Sequence, residues 1–177
     1  GDGTPTRRGT IFSFFQHGEG LALAAALEDE SYPIADLVFD LASLRAGPRF
    51  SEGSSHFSGR LGALCQQTYE RADVEGYLTM GVPTEYGPAA GEVVRALVEQ
   101  RLPRQKLLTE SIRQGDLERA LIEWRSLLRH VAMAPDYEWV RWHELQSAAS
   151  RWVNSTDSPT SFEIPPLTPG QQRRPGG

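Results

Sequence analysis

The chain of 177 residues contains very little cysteine, which limits the chemistry open to it. Its single cysteine, Cys65, excludes an intrachain disulfide and argues against a cysteine-based zinc site. We expect Cys65 to be a small buried residue in a helix. No apolar run approaches the roughly 20 residues that span a bilayer, and no signal-type leader opens the chain. We therefore expect neither a membrane protein nor a secretory precursor, and we predict a cytoplasmic location.

Sequence motifs that bind nucleotides or metals are also missing. The only lysine, Lys106, lies far from any glycine cluster, so the chain has no phosphate-binding loop. Residues 18–20 (GEG) are too short for a dinucleotide fingerprint. The four histidines are scattered, and His143 lacks the second histidine of a zinc-binding helix. Because no nucleophile elbow is present either, we predict no catalysis by this chain alone and no metal or cofactor in it.

Negative charge is concentrated in the first part of the chain, although the whole carries a net charge of −5. Residues 1–94 hold six arginines against 13 acidic residues, whereas residues 95–177 hold 12 basic residues against 10 acidic ones. Two explanations of the arginine excess stay open. A GC-rich genome favours arginine codons, and arginine also suits phosphate contacts through its planar fork of donors.

Apolar residues recur at three- and four-residue intervals through most of the chain, which is the spacing of one helix face. An alanine-rich helix is predicted at 21–27, and Pro33 suits the first turn of the next helix, which Gly47-Pro48 ends. A short helix is predicted after Pro103. The apolar positions of these later helices are Ile34, Leu37, Val38, Leu41 and Leu44; Leu61, Leu64, Cys65, Thr68 and Tyr69; Val93, Val94, Leu97 and Val98; and Leu107, Leu108 and Ile112.

The clearest predicted helix begins at Gly115-Asp116. Asp116 is a good N-cap, and its charge suits the positive end of a helix. After a break at Pro135-Asp136, a last helix is predicted to run antiparallel to this one. The apolar stripes of the two helices are Leu117, Ala120, Leu121, Trp124, Leu127, Leu128 and Val131, and then Tyr137, Val140, Leu145, Ala148 and Trp152.

The remaining segments are predicted to be mostly irregular. Residues 1–9, 51–58 and 81–91 are rich in turn formers, and the Pro/Gly-rich tail from 154 to 177 lacks the apolar residues needed for order. Residues 10–15 form an apolar run that fits either a strand or a first helical turn, and strand signals are almost absent elsewhere. We therefore predict a mostly α fold, a bundle of about six or seven helices.

Arginines on the Gly115-Asp116 helix are the candidate binding residues. Arg119, Arg125 and Arg129 lie off its apolar stripe, and Arg113 precedes it. They fit two interpretations, a solvated face with weak ion pairs or a helix that follows a nucleic-acid backbone. The tryptophans are predicted to be core residues first, although Trp139 and Trp142 are three apart, so that one of them could be exposed for base stacking.

Two stretches resemble the C-terminal region of Ski2-like superfamily 2 helicases of the DExH-box group. Residues 8–13 (RGTIFS) and 18–23 (GEGLAL) are similar to that family's exit from a winged helix into a helix. Residues 114–119 (QGDLER), with LLR at 127–129, resemble the family's Glu-Gly-Ser-Ile-x-Arg helix. The closing helix at 136–153 also lies where the family has its last one.

The resemblance implies a division into the end of a winged-helix domain at 1–17, a helical bundle at 18–153 and the tail at 154–177. It implies that the bundle packs on motor domains of the same parent chain and guides single-stranded RNA or DNA along one helix. Arg119 matches a family arginine by position. Glu123 and Ser126 stand where members carry a basic and an acidic residue, and residues 46–105 depart from the family pattern.

The motor motifs are missing from this chain, which also begins without Met, so we expect a fragment whose parent supplies ATP and Mg²⁺ chemistry. Our first hypothesis is an accessory helicase domain that binds nucleic acid through Arg113, Arg119, Arg125 and Arg129. The alternative is a free-standing helical protein-interaction module without a nucleic-acid role.

Overall fold

The computed structural model describes residues 7–15, 18–51 and 59–156. These residues form a mostly helical bundle, as the sequence predicted, with seven α-helices and one small sheet. The helices are α1 Arg7–Phe14, α2 Glu19–Glu28, α3 Ile34–Asp40, α4 Arg60–Thr68, α5 Ala90–Val98, α6 Gln114–Met133 and α7 Val140–Thr156. The strands are β1 Leu78–Thr79 and β2 Val82–Pro83, and three 3-10 turns cover Leu41–Arg45, Pro48–Ser51 and Arg104–Leu107.

Helix α2 forms the centre of the bundle because it is apolar on every side. Residues 22–27 are all buried, which matches the alanine-rich composition of this segment. Its last carbonyl groups meet an arginine of α7: Arg141 donates from Nε to Leu27 O at 2.8 Å and from Nη2 to Ala26 O at 3.1 Å. The buried end of α2 is thus closed by a side chain from a distant helix.

Helices α6 and α7 pack against each other in antiparallel directions, as predicted. Trp124, near the middle of α6, lies 6.3 Å from Trp152 near the end of α7, measured between ring centroids. At the other end, Gln146 donates from Nε2 to Val131 O and Ala134 O at 3.1 and 2.7 Å. The Trp124 indole donates to Val38 O at 2.8 Å and fixes α3 to this pair.

The predicted apolar stripe of α6 is confirmed at all seven positions, and Cys65 is buried in α4 as expected. Burial raises the pKa of the Cys65 thiol to about 12, so the thiol stays protonated. The prediction for α7 is wrong at Val140, which is 73% exposed. The helix starts at this residue, and Trp142, with Leu145 and Ala149 after it, turns toward the core instead.

Several predicted boundaries are also wrong. No α-helix joins Leu107 to Ile112; the chain makes a 3-10 turn and then a loop in which the Thr109 hydroxyl accepts from Ile112 N–H at 2.9 Å. The third helix passes into a 3-10 turn at Leu41. Residues 7–14 are helical, so the strand alternative for 10–15 fails and residues 7–9 are part of α1. Helix α7 continues to Thr156, three residues into the tail predicted from 154.

A hairpin that the sequence analysis did not predict interrupts the segment between α4 and α5. Leu78 pairs with Pro83 and Thr79 with Val82, and the turn residues Met80 and Gly81 both have positive φ angles of 54° and 85°. A two-residue turn of this kind matches the natural twist of a hairpin. The predicted tail from 157 onward, residues 1–6 and most of the loop at 51–58 lie outside the described residues.

Candidate functional site

The four predicted arginines do not share one face of α6. Arg125 and Arg129 are four residues apart and lie on neighbouring turns of one flank. Arg119 lies on the other flank, which it shares with Glu123, four residues on. Arg113 precedes the helix, about 24 Å along the axis from Arg129. The structure therefore brings together only the pair Arg125 and Arg129.

Arg113 takes the N-cap position that the sequence analysis gave to Asp116. The helix begins at Gln114, and Asp116 acts from its third position instead. Its Oδ2 accepts from the Arg113 backbone N–H at 2.9 Å, while its own N–H donates to Arg113 O at 2.9 Å. Asp116 still stabilises the start of α6, but from inside the first turn, as the acidic partner of a capping box does. The Arg113 side chain is exposed.

Arg119 and Arg125 of α6 lack the ion pairs that several other arginines of the described chain form. Arg95 bridges Asp36 and Glu99 at 3.0 and 2.8 Å, and Arg104 pairs with Glu118. Among the described residues, by contrast, neither Arg119 nor Arg125 forms an ion pair. Arg125 makes one long contact from Nε to Leu121 O at 3.5 Å. Arg129 is exposed.

A groove of about 520 Å³ lies along the Arg119 flank of α6. We call it the α2–α6 groove. Its lining comes from the end of α1, the start of α2, the Leu41–Arg45 turn, the segment after β2 and α6. The lining residues are Phe14, Gly18, Glu19, Leu44, Arg45, Pro83, Thr84, Glu85, Arg119, Glu123 and His130.

A partly buried ion pair forms one wall of the α2–α6 groove. Glu19 is only 6% exposed, and it accepts from Arg45 Nε at 2.6 Å and from Nη2 at 3.1 Å. The hydrogen bonds that Arg45 donates to Glu19 raise the pKa of Arg45 above its ordinary value, so the guanidinium stays charged. The remaining nitrogen, Nη1, lies 3.7 Å from Glu123 Oε2. This pair holds Arg45 in one orientation, with a single nitrogen directed toward α6.

Aromatic rings form another part of the groove lining. The rings of Phe14 and His130 stack at a centroid distance of 4.5 Å and an interplanar angle of 25°. Phe15 meets His130 edge-on at 4.8 Å, and His130 Nε2 lies 3.3 Å from Phe14 O. Both Phe14 and His130 are half-buried. The groove therefore combines flat apolar surface with charged groups of both signs.

Sequence reasoning missed the groove residues other than Arg119. Glu19, Arg45 and Glu123 are far apart in the chain, and only the packing of α2, the Leu41–Arg45 turn and α6 brings them together. One signal was available, since Glu19 and Arg45 are each a lone charge beside an apolar stretch. A lone charge of this kind needs a partner when the segment is buried, although the sequence does not say which one.

Comparisons with known proteins give no further assignment. No family model matches the chain, and neither does any curated protein or solved structure. Within the described ranges, no helix has both the length and the apolar character needed to cross a bilayer. In the same part of the chain, no group of three or more His, Cys, Asp or Glu side chains is arranged to hold a metal ion.

Proposed function

We propose that this chain is an accessory helical domain of a Ski2-like DExH-box helicase, and that it guides single-stranded RNA or DNA along α6. One observation carries the proposal. Helix α6 is anchored on its apolar side, while Arg119 and Arg125 point outward without a carboxylate partner among the described residues. An unpaired guanidinium on a rigid helix can meet a phosphate without first breaking an ion pair.

The anchoring of α6 supports its role as a rigid helix that guides a single strand. Seven apolar residues bury its inner face, and the Trp124 indole bonds α3 at 2.8 Å. The helix therefore keeps its outer arginines at fixed separations. Arg119 and Arg129 are ten residues apart, about 15 Å along the axis, and lie on different flanks, so a strand that contacts both must cross the outer face of the helix. Such contacts bind any sequence, as a guide for a moving strand requires.

ATP turnover under this proposal belongs to motor domains of the parent protein, which supply the nucleotide and Mg²⁺ sites. The proposal predicts that the reading frame encoding this chain also encodes a phosphate-binding loop and an Asp-Glu-x-His motif. A frame without them would contradict the helicase assignment, while single-strand binding by the domain would remain a separate question.

Binding is tested with a fluorescent single-stranded oligonucleotide and the purified chain, by anisotropy. The double variant Arg125→Ala/Arg129→Ala is expected to bind about tenfold more weakly at near-physiological salt, because two phosphate contacts are lost. Arg151→Ala, which removes an exposed arginine from α7, is the matched control and should leave the affinity unchanged. Circular dichroism should show both variants folded.

Exposed apolar side chains favour the alternative, a free-standing protein-interaction module. Met133 is 83% exposed and Val140 is 73% exposed, and the two flank the turn between α6 and α7. Absence of oligonucleotide binding, together with loss of a protein partner on Met133→Ser/Val140→Ser substitution, would support this second function instead.

A further inference from the structure

The α2–α6 groove contains groups that phosphate contacts along α6 do not use. Phosphate binding needs cations, yet the groove also presents the carboxylates of Glu85 and Glu123. A ligand that fits must therefore both accept and donate hydrogen bonds. The groove volume of about 520 Å³ lies in the range of pockets that take small organic groups.

The donors and acceptors of the groove are fixed next to each other. Glu19 holds two nitrogens of Arg45, which leaves Nη1 available. Glu123 lies 3.7 Å from that nitrogen, a distance too long for a strong hydrogen bond, so its oxygens keep capacity to accept. Arg119 lies one turn before Glu123 on the same flank. Arg45 and Glu123 thus form only a long ion pair, which leaves both with capacity for hydrogen bonds to a ligand.

Two half-buried aromatic rings, those of Phe14 and His130, line the same groove and stack on each other. Half-buried aromatic rings bind nucleobases by stacking, and this contact tolerates any base. Discrimination between bases must therefore come from the charged groups of the groove, the arginines and Glu123. Guanine presents the adjacent acceptors O6 and N7, which arginine binds, and adjacent donors at N1 and N2, which a carboxylate can accept. Thymine offers no such pair of donors.

We propose that the α2–α6 groove takes a guanine base from the strand that crosses α6, with Arg119 and Arg45 on its acceptor edge and Glu123 on its donor edge. The base lies against the Phe14 and His130 rings. This inference rests on the proposed strand binding, because the strand delivers the base to the groove. The same guanine edge could also come from a free nucleotide, so the test includes both sources.

The test compares two single-stranded oligonucleotides by anisotropy, one of thymines only and one with a single central guanine. The wild-type chain is expected to bind the guanine-containing strand about tenfold more tightly. Glu123→Gln is expected to abolish this preference while the thymine strand is still bound at least as tightly, because a negative charge beside the strand is removed. Glu144→Gln, on the exposed side of α7, is the matched carboxylate control and should retain the preference. Arg125→Ala/Arg129→Ala should weaken the binding of both strands by the same factor.

Each remaining outcome has one meaning. Equal binding of both strands by the wild type would overturn the guanine site and leave strand guidance standing. Absence of binding to either strand would overturn both proposals. A second variant, Arg119→Gln, is measured with the same two strands. If both Glu123→Gln and Arg119→Gln still prefer the guanine-containing strand, the site is also overturned. Titration with guanosine monophosphate distinguishes a guanine in a bound strand from a free nucleotide. If the nucleotide binds as tightly as the guanine-containing oligonucleotide, delivery of the base by a strand is contradicted.

Discussion

Asp40 has a half-buried carboxyl group. It accepts a hydrogen bond from the Tyr32 hydroxyl at 2.5 Å, at the end of α3. Burial raises the pKa of Asp40 to about 6, and the charges of Asp36 and Glu92 act in the same direction, whereas the Tyr32 hydrogen bond and Arg95 oppose them. Between about pH 4 and about pH 6 the folded protein therefore holds a proton on Asp40 that the unfolded chain has already released, because the ordinary pKa is 3.8.

Replacement of Asp40 by Asn should remove a destabilisation of the folded protein that grows as pH rises. Because the folded pKa is the higher one, Asp40 lowers the free energy of unfolding as pH rises from about 4 to about 6, by about 3 kcal/mol in all. Asp40→Asn keeps an acceptor for Tyr32 and should be more stable than the wild type at pH near 7.5 but not at pH near 4. Urea unfolding at both pH values measures this, and a stability difference that does not change with pH would contradict it.

Glycine at position 18 is required by a close approach of two backbones. A Cβ there would lie 2.2 Å from Tyr77 O, beside the hairpin at the entrance of the α2–α6 groove. We expect Gly18→Ala to lower the free energy of unfolding by about 1–3 kcal/mol, because backbone must move. Gly115→Ala is the control: nothing lies within 4 Å of its Cβ, and alanine in α6 should stabilise by up to about 1 kcal/mol. Thermal unfolding of both variants checks this, and equal shifts would contradict the account.

For single residues, burial could be predicted from the sequence better than the partners of charged side chains. The apolar stripe of α6 and the burial of Cys65 follow from periodicity and residue type alone. The partners of Glu19, Arg45 and Arg141 do not, because each lies on a different element and only tertiary packing sets their distances. The split of the arginines into two flanks of α6 does follow from helical geometry, since Arg119 is six residues from Arg125.

Helix α6 is the element on which the account depends, and its packing can be tested. Leu121 is 5% exposed and its neighbour Ile122 is 58% exposed. We expect Leu121→Ala to cost about 2–5 kcal/mol of stability through a cavity, whereas Ile122→Ala should cost less than about 1 kcal/mol. Chemical denaturation distinguishes the two, and comparable losses for both variants would contradict the assigned face of the helix.

Long helices with a clear period were predictable as elements, whereas short turns and the hairpin were not. The segment from Arg104 to Ile112 has apolar residues at a helical spacing, but the Thr109 hydroxyl bonds the backbone of Ile112 and favours a loop. The hairpin strands have two residues each, which is too short for any alternation to be visible. Its turn residue Met80 has a positive φ that a sequence pattern does not indicate.

The helical-bundle fold class followed from composition and periodicity, whereas the function of the protein did not. The described residues pack α2 at the centre, with α6 and α7 closing one side and outward arginines on α6. The mixed charge around Arg119, the half-buried Arg125 and the exposed Arg129 all lie on one helix. Under the proposed function, this helix binds a polyanion through those arginines.

The salt dependence of affinity for an all-thymine single strand tests this binding, because such a strand leaves Arg119 available for a phosphate. Phosphate contacts from Arg119, Arg125 and Arg129 predict that the logarithm of the association constant falls against the logarithm of salt concentration with a slope of about −2. Arg125→Ala/Arg129→Ala should reduce this slope to about −0.7, because one contact remains. A slope near zero for the wild type, or the same slope for both proteins, would contradict the claim.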